Sequence, residues 1–319
     1  MGWLPRLVFR RLAVLIPLLA IVSVGVFLLL QLAPGDTARV LVGAKPATPE
    51  TLAAIRARYH LDLPLLEQYL YWIRGVLQGD FGRSIVTNQP VTDVIAQRLP
   101  LTLYLGTYGF LITVGIGLPL GIVAALRRQT GLDRSIVAVS VVGVSAPAFA
   151  TGILLLYVFG VVLGWFPTFG PGRDFLDRLS HLTLPALALA FSALALVVKV
   201  TRASTGEELD KDYVAFARAR GLSRMRVIGP YAVRNALVSI TTAIGLVFVY
   251  MLTGTVLVEV TFALPGLGTL LIDSVQALDI PVVQALTLMI AAFIVVVHLG
   301  IDISYAVLDP RVRYGRAAA

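Results

Sequence analysis

Asp212-Tyr213-Val214-Ala215-Phe216-Ala217-Arg218-Ala219-Arg220-Gly221-Leu222 is a small-sided, charged stretch in an oily chain. Its flanks decide the fold. Apolar segments at Leu182–Val200 and Ala236–Val258 lie on either side, each near the roughly 20 residues that cross a bilayer as a helix. Between Lys199 and Arg234 stand eight Lys or Arg residues, too many charges for a surface facing hydrocarbon. Glu207, Glu208, Asp210 and Asp212 precede Arg218, Arg220, Arg224 and Arg226, the order that complements a helix dipole. Gly221 can take the left-handed conformation that ends a helix, so a second helix starts after Leu222 or Ser223. The spacing predicts a rigid helix–turn–helix projection, small-sided at Ala215, Ala217 and Ala219, that a partner protein can push or pull. A solvated basic loop would account for the arginines. It would not account for the alanines, the placed glycine or the length.

The same alternation of oily spans and basic connections runs through all 319 residues, 58% of them hydrophobic and 14% charged, with a mean hydropathy of +0.87. Soluble domains carry about 25% charge, so the class is an all-α polytopic membrane protein. Six spans are predicted: Leu12–Leu32, Leu101–Leu126, Ser135–Leu163, Leu182–Val200, Ala236–Val258 and Leu286–Leu308. The first follows Arg6, Arg10 and Arg11 but is too long for a signal-peptide core and lacks a small-x-small cleavage site, so it reads as retained. Four regions hold seventeen of the 26 basic residues: the N-terminus, the connection with Arg127, Arg128 and Arg134, the 199–234 stretch and the tail with Arg311, Arg313 and Arg316. The positive-inside rule then puts both termini in the cytoplasm. The net charge of +8 is spent on these membrane flanks and does not call for nucleic acid. The lipid bilayer is the implied partner.

The chain divides into residues 1–32, the N-terminal segment and first span; 33–100, an extracytoplasmic helical insert; 101–308, a five-helix core; and 309–319, a cytoplasmic tail. The core contains the cytoplasmic stretch 201–234 and an outer stretch 259–284. In the insert, Thr48-Pro49-Glu50 supplies an N-cap, a first-turn Pro and a first-turn acid for a helix through about Arg58. Pro64 opens a second helix whose Leu66, Tyr69, Leu70, Ile73, Val76 and Leu77 form an apolar packing stripe, stopped by Gly79. Residues 259–284 are too broken to cross as a helix and too apolar for a plain loop, which suits a re-entrant hairpin. Glu259, at the outer end of the fifth span, is expected near enough to the interface to be wet, and Asp302 lies within the sixth. Charged groups in spans are functional candidates by default.

Catalytic chemistry is missing. Lys45, Lys199 and Lys211 do not follow a glycine, so no phosphate-binding loop exists. His60, His181 and His298 are scattered, and zero Cys removes thiolate sites and nucleophiles. A self-sufficient channel or secondary carrier is the rival class, but a carrier would show paired repeats and several midplane charges, and this chain shows no convincing duplication and few charges within its spans.

The 212–222 stretch resembles the cytoplasmic coupling motif of ABC importer permeases, Glu-Ala-Ala-x-x-x-Gly. Ala217 matches the second Ala and Gly221 the Gly, while Ala215 and Phe216 stand where the motif has Glu and the first Ala. Asp212-Tyr213-Val214, Ala217 to Leu222 and Arg234-Asn235-Ala236-Leu237 are similar to the dipeptide/oligopeptide/nickel subfamily, although Val238-Ser239 stands where that pattern places a Pro. The resemblance runs the length of the chain: Leu32-Ala33-Pro34-Gly35-Asp36, Gly79-Asp80-Phe81-Gly82-Arg83-Ser84, Pro90-Val91, Arg98-Leu99-Pro100, Pro147-Ala148-Phe149, Leu184-Pro185-Ala186, Phe262-x-x-Pro265-Gly266-Leu267-Gly268, Asp279-x-Pro281-Val282-Val283-Gln284 and Asp309-Pro310-Arg311-Val312-Arg313-Tyr314-Gly315.

The resemblance implies a type I importer permease fold and the B-type member of an unlike permease pair. It further implies two ATP-binding subunits that carry ATP and Mg, and an extracytoplasmic solute-binding protein in a bacterial inner membrane. No cofactor is implied on this chain. The ATPase-coupling residues would be Asp212, Tyr213, Ala215, Ala217, Arg218, Ala219, Arg220, Gly221, Leu222 and Arg224. The path or gate would involve Glu259, Phe262, Pro265, Gly266, Gly268 and Asp302. Short peptides are the leading substrate, with nickel chelates, glutathione and haem carried by similar permeases.

Overall fold

A computed structural model describes residues 3–32, 36–42, 48–58 and 60–308. The tail, with its Asp309–Gly315 pattern and three arginines, and Ala33-Pro34-Gly35 lie outside the described residues. The helices are α1 Trp3–Leu32, α2 Thr37–Val42, α3 Pro49–Arg58, α4 Leu65–Leu77, α5 Val91–Leu126, α6 Gly131–Ser145, α7 Ala148–Leu155, α8 Phe175–Leu209, α9 Asp212–Ala219, α10 Arg224–Arg226, α11 Arg234–Thr253, α12 Thr255–Thr261, α13 Leu267–Gln276 and α14 Ile280–Leu308. Two π-helical stretches, Leu156–Val162 and Val227–Val233, extend α7 and α10. The one β feature among the described residues is a bridge between Arg83 and Pro90.

Five helical stretches are long and apolar enough to cross a membrane, and a sixth span results if α6 and α7 count together. That is the six-span plan, with corrected boundaries. α5 begins at Val91, ten residues before the expected Leu101, and α8 runs from Phe175 to Leu209. α14 starts at Ile280 with Pro281 in its first turn, where a missing N–H costs nothing. The third span is not straight: its halves meet at 100°. Ala146 is extended there, because a residue before proline is pushed out of the helical region, and Pro147 follows it as the non-helical N-cap of α7. The fifth span also breaks early, at Gly254, so Val258 and Glu259 belong to the separate helix α12.

The chain forms two compact units. The first holds residues 102–264 with the last part of α14. α8 is its axis: 67% of its apolar window is buried, against 17% for α1, so α8 is the core helix and α1 is largely surface. α6, α7 and α11 pack on α8. α5 lies so close to α8 that a Cβ on Gly121 would stand 2.6 Å from the Thr201 Cβ. Without a hydrophobic drive between helices in lipid, small residues that permit this approach supply the packing. Ala124, Ile136, Leu194 and Val198 fill the adjacent layer.

The second unit holds residues 5–101 and 265–296. Val91, Val94, Ile95, Leu267, Leu270, Val282, Ala285 and Leu286 make its core. α4 docks on α1 through Tyr69 and Trp72, whose rings lie 5.5 and 5.7 Å from that of Phe27. Tyr69 also shares a 2.7 Å hydrogen bond with Ser23. The apolar stripe expected on this helix is therefore rotated: Leu66, Leu70 and Leu77 are exposed, and Gln68 is buried. Gln68 explains the rotation. Its amide donates to the Leu61 and Leu63 carbonyls and accepts from Gln31, so it must face inward. Asp279, 2% exposed, accepts from the Ser84 hydroxyl and the Ile85 and Val86 amides, fastening the loop after α4 to the start of α14.

Candidate functional site

The projection ends as its sequence predicts but starts later: Glu207 and Glu208 fall in the last turn of α8 and Asp210 caps it, so of the four acids expected at the start of the projecting helix only Asp212 opens it. α8 runs out at Leu209, Lys211 is extended, and Asp212 opens α9 with a carboxylate in its first turn. At the far end the Leu222 amide donates to the Ala217 carbonyl and the Gly221 amide to that of Arg218. Together they form the paired closure of a Schellman motif, which requires a left-handed residue. Gly221 supplies it at φ +75°, and a Cβ there would touch nothing within 4 Å. The demand for glycine is thus one of backbone, not of space. Ser223 then precedes α10, as the expected second helix.

Val214 and Ala217 are buried with Val227, and Leu209, Tyr213, Leu222 and Tyr231 close around them. The three alanines do not share a face, as 100° per residue forbids for positions two apart. Ala217 seats the helix on its own protein, while Ala215 and Ala219 point out. Asp212, Arg218, Arg220 and Arg224 are exposed beside them. Sequence reasoning missed Phe216, which is 71% exposed between the alanines, and Met225, 77% exposed on α10. The signal was available: each is a large apolar side chain in a segment otherwise small or charged.

Tyr213 ties the projection down. Its phenol donates to the Glu208 carboxylate on α8 and accepts from the Asn235 amide on α11 at 3.0 Å. Asn235 also donates to the Tyr231 carbonyl at 2.8 Å. Burial pushes the phenol's pKa up, and the Glu208 carboxylate adds to that. Lys211 donates to Glu208 at 2.6 Å, and this bond holds the ammonium's pKa above its usual value. At the base of the projection, Arg202 on α8 grips the buried Asp133 of α6 with Nε and Nη2 at 2.5 and 2.8 Å. Arg128 pairs with Asp210 at 2.8 Å in the open. The first unit thus carries α9 on a chain of charged and hydrogen-bonded struts.

The candidate path residues fall in different places. Glu259 is fully buried, which corrects the expectation of a wet interfacial carboxylate. Glu259 lies on α12, past the break at Gly254, and accepts from the Thr102 hydroxyl of α5 at 2.6 Å. Phe262 is buried one turn on, its ring edge 3.0 Å from where a Cβ on Gly152 of α7 would sit. In the second unit, Pro265 is exposed, Gly266 caps α13, and Gly268 is buried in the first turn of α13. Asp302 is half-buried on α14. No cluster of His, Cys, Asp or Glu able to hold a metal occurs among the described residues.

Comparison with known proteins gives a consistent result. Residues 117–314 match the family described as the binding-protein-dependent transport system inner membrane component, and residues 4–106 match the N-terminal region of the same kind of component. A protein of Brucella abortus (strain 2308), named a peptide transport system permease, is 40% identical over 97% of this chain and 99% of its own. The Escherichia coli glutathione transport system permease protein GsiC is 41% identical over 96% of this chain and 98% of its own. Among solved structures, a chain of the MetNI methionine ABC transporter in an inward-facing conformation aligns with a TM-score of 0.58 at 14% identity, covering 68% of this chain and 96% of that one. At that identity the likeness concerns the fold.

Proposed function

The chain belongs to the binding-protein-dependent transport system inner membrane component family, and we propose that it is the permease subunit through which an ATP-driven importer passes short peptides. The relative named a peptide permease and the one named a glutathione permease support this substrate class, since glutathione is itself a tripeptide. In this reading the chain pairs with a second permease, two ATP-binding subunits bind ATP and Mg, and an extracytoplasmic binding protein delivers the peptide. The chain hydrolyses nothing itself. Both termini and α9 face the cytoplasm, where most of the basic residues lie.

The observation that carries the coupling role is the build of α9. A helix of eight residues projects on a Schellman turn, holds its own packing face inward through Val214 and Ala217, and leaves Phe216 outward. Exposed aromatics of this size are enriched at contacts between proteins. ATPase closure would displace α9, and the Tyr213–Glu208 and Arg202–Asp133 struts would carry that displacement to α8 and α6. Alternating access is then a two-state rearrangement of the first unit's helices, with the buried Thr102–Glu259 bond and the Phe262–Gly152 contact as candidate gate elements.

Affinity purification of the tagged full-length chain in mild detergent tests the assembly. ATP-binding subunits and a second permease should copurify, and Phe216→Ala should weaken the former without loss of the latter. A chain that moves peptide unaided in liposomes overturns the reading.

A further inference from the structure

A cavity of about 530 Å³ opens beside α9, and it shares Arg218, Leu222 and Arg224 with the residues given a coupling role. Its walls come from the last turns of α5 and α8, from α9 and α10, and from the π-helical stretch after α10. Three arginines line it, Arg128, Arg218 and Arg224, with a single acid, Asp210. Arg128 and Asp210 satisfy each other at 2.8 Å. Arg218 and Arg224 make no ion pair among the described residues, so the cavity keeps two uncompensated guanidinium groups. The remaining lining includes Leu126, Leu209 and Val227. Such a place is both cationic and oily, and it sits where two membrane helices run out of their apolar windows.

We propose that this cavity is a binding site for an anionic phospholipid, whose phosphate is gripped by Arg218 and Arg224 and whose glycerol and first acyl carbons lie against Leu126, Leu209 and Val227. Guanidinium forks match phosphate oxygens in pairs. Basic pockets between membrane helices are suited to anionic headgroups, and attraction is strongest at the face carrying the anionic leaflet. The oily part of the lining, Leu126 and Leu209 at the ends of two membrane helices together with Val227, favours a lipid over a lone acidic side chain of a partner. The inference rests on the membrane reading of the chain and not on the coupling role of α9.

The full-length chain, purified without partners and equilibrated with mixed micelles of phosphatidylglycerol and phosphatidylcholine, reports the site through the lipids it retains in native mass spectrometry. Wild type should retain phosphatidylglycerol in preference to phosphatidylcholine. Joint Arg218→Gln and Arg224→Gln should cut that retention about twenty-five-fold, at roughly fivefold per removed charge. Gly206→Leu offers a second handle: Gly206 lines the cavity and a Cβ there meets nothing within 4 Å, so the new side chain can fill the space with every charge in place. It should lower retention as well, while Arg134→Gln, outside the cavity, should not. Equal retention of both lipids by wild type overturns the site. So does loss in the arginine variant alone, which would indicate surface charge without a cavity. Complete displacement by inorganic phosphate would assign the arginines to a soluble anion and remove the lipid. Because no ATPase is present, failure here leaves the coupling reading standing, and failure of copurification leaves this one standing.

Discussion

Gly221 shows how one residue can hold a mechanical part together. Its φ of +75° is the left-handed conformation, costing any residue with a Cβ about 1–2 kcal/mol, and the space around it is open. Gly221→Val should therefore leave the membrane helices intact and loosen the turn that fixes α9. In the assembled importer, peptide uptake should fall severalfold while ATP turnover continues, with Gly221→Asn milder because Asn visits this conformation. Normal uptake and turnover in Gly221→Val would refute the lever. Tyr213 is a second case, and it titrates. Its phenol is held above the ordinary tyrosine value of 10.0, first by burial and then by the Glu208 carboxylate. A raised pKa favours the protonated form in the folded state. The stabilisation is whole below the ordinary value and drains away as pH climbs through the raised one. Thermal unfolding of wild type and Tyr213→Phe should diverge least in alkaline solution, the wild-type advantage shrinking above about pH 10. Lys211 shares Glu208 and titrates in the same direction in both proteins, so the comparison subtracts it. An advantage that grew with pH would show that the phenol has no part in the bracket.

At the scale of elements, the legible parts of the sequence were those set by local chemistry. Gly221 and Ser223 announce where α9 stops and α10 starts, and Pro64 and Gly79 bound the helix of the insert, whereas the break between α8 and α9 at Asp210 and Lys211 was not announced. What stayed hidden was decided by distant partners. The stripe on α4 could not be oriented from hydrophobicity, because buried Gln68 and the Phe27–Tyr69–Trp72 contact set its rotation. Glu259 reads as interfacial until Gly254 is seen to break the fifth span, and Ala217 reads as a docking face until Val227 is seen beneath it. The Arg202–Asp133 strut is hidden for the same reason, lying 69 residues apart in sequence. Asp133 is 2% exposed, and removing its partner strands a buried carboxylate. Arg202 is a third exposed and the Gln129 amide still donates to Asp133, so Arg202→Ala should destabilise the protein by about 1–3 kcal/mol. Replacing the pair together, Arg202→Met with Asp133→Leu, should recover much of that loss, since the desolvation cost disappears with the charges. Unfolding in detergent checks both. Equal damage from the single and double changes would mean that the pair has no coupled role.

The whole molecule is a polytopic membrane protein whose two units divide its tasks along the chain. The first carries the projection, the struts and buried Glu259. The second carries the insert and the loop fastened by Asp279. Charge predicts an orientation: basic connections cluster at Arg127, Arg128 and Arg134 and between Lys199 and Arg234, and the positive-inside rule puts them in the cytoplasm and the stretches around Thr87 and Phe169 outside. The absence of cysteine makes this directly measurable, because every introduced thiol is the only one. Cysteines at Gln129 and Ala219, both exposed, should react with a membrane-impermeant maleimide only after cells are opened. Cysteines at Thr87 and Phe169, also exposed, should react in cells whose outer barrier alone is permeable. The four sites sample three separate connections and the insert. Six spans require Thr87 and Phe169 to agree with each other and to oppose Gln129 and Ala219. The bent α6–α7 pair makes Phe169 the decisive site, since a pair that turned back without crossing would place it on the side of Gln129. Labelling of Phe169→Cys only in opened cells would reduce the count to five and reverse the sidedness of either the N-terminal or the C-terminal part. Labelling with only the outer barrier permeable would make the 100° bend a feature within one membrane crossing, set by Pro147.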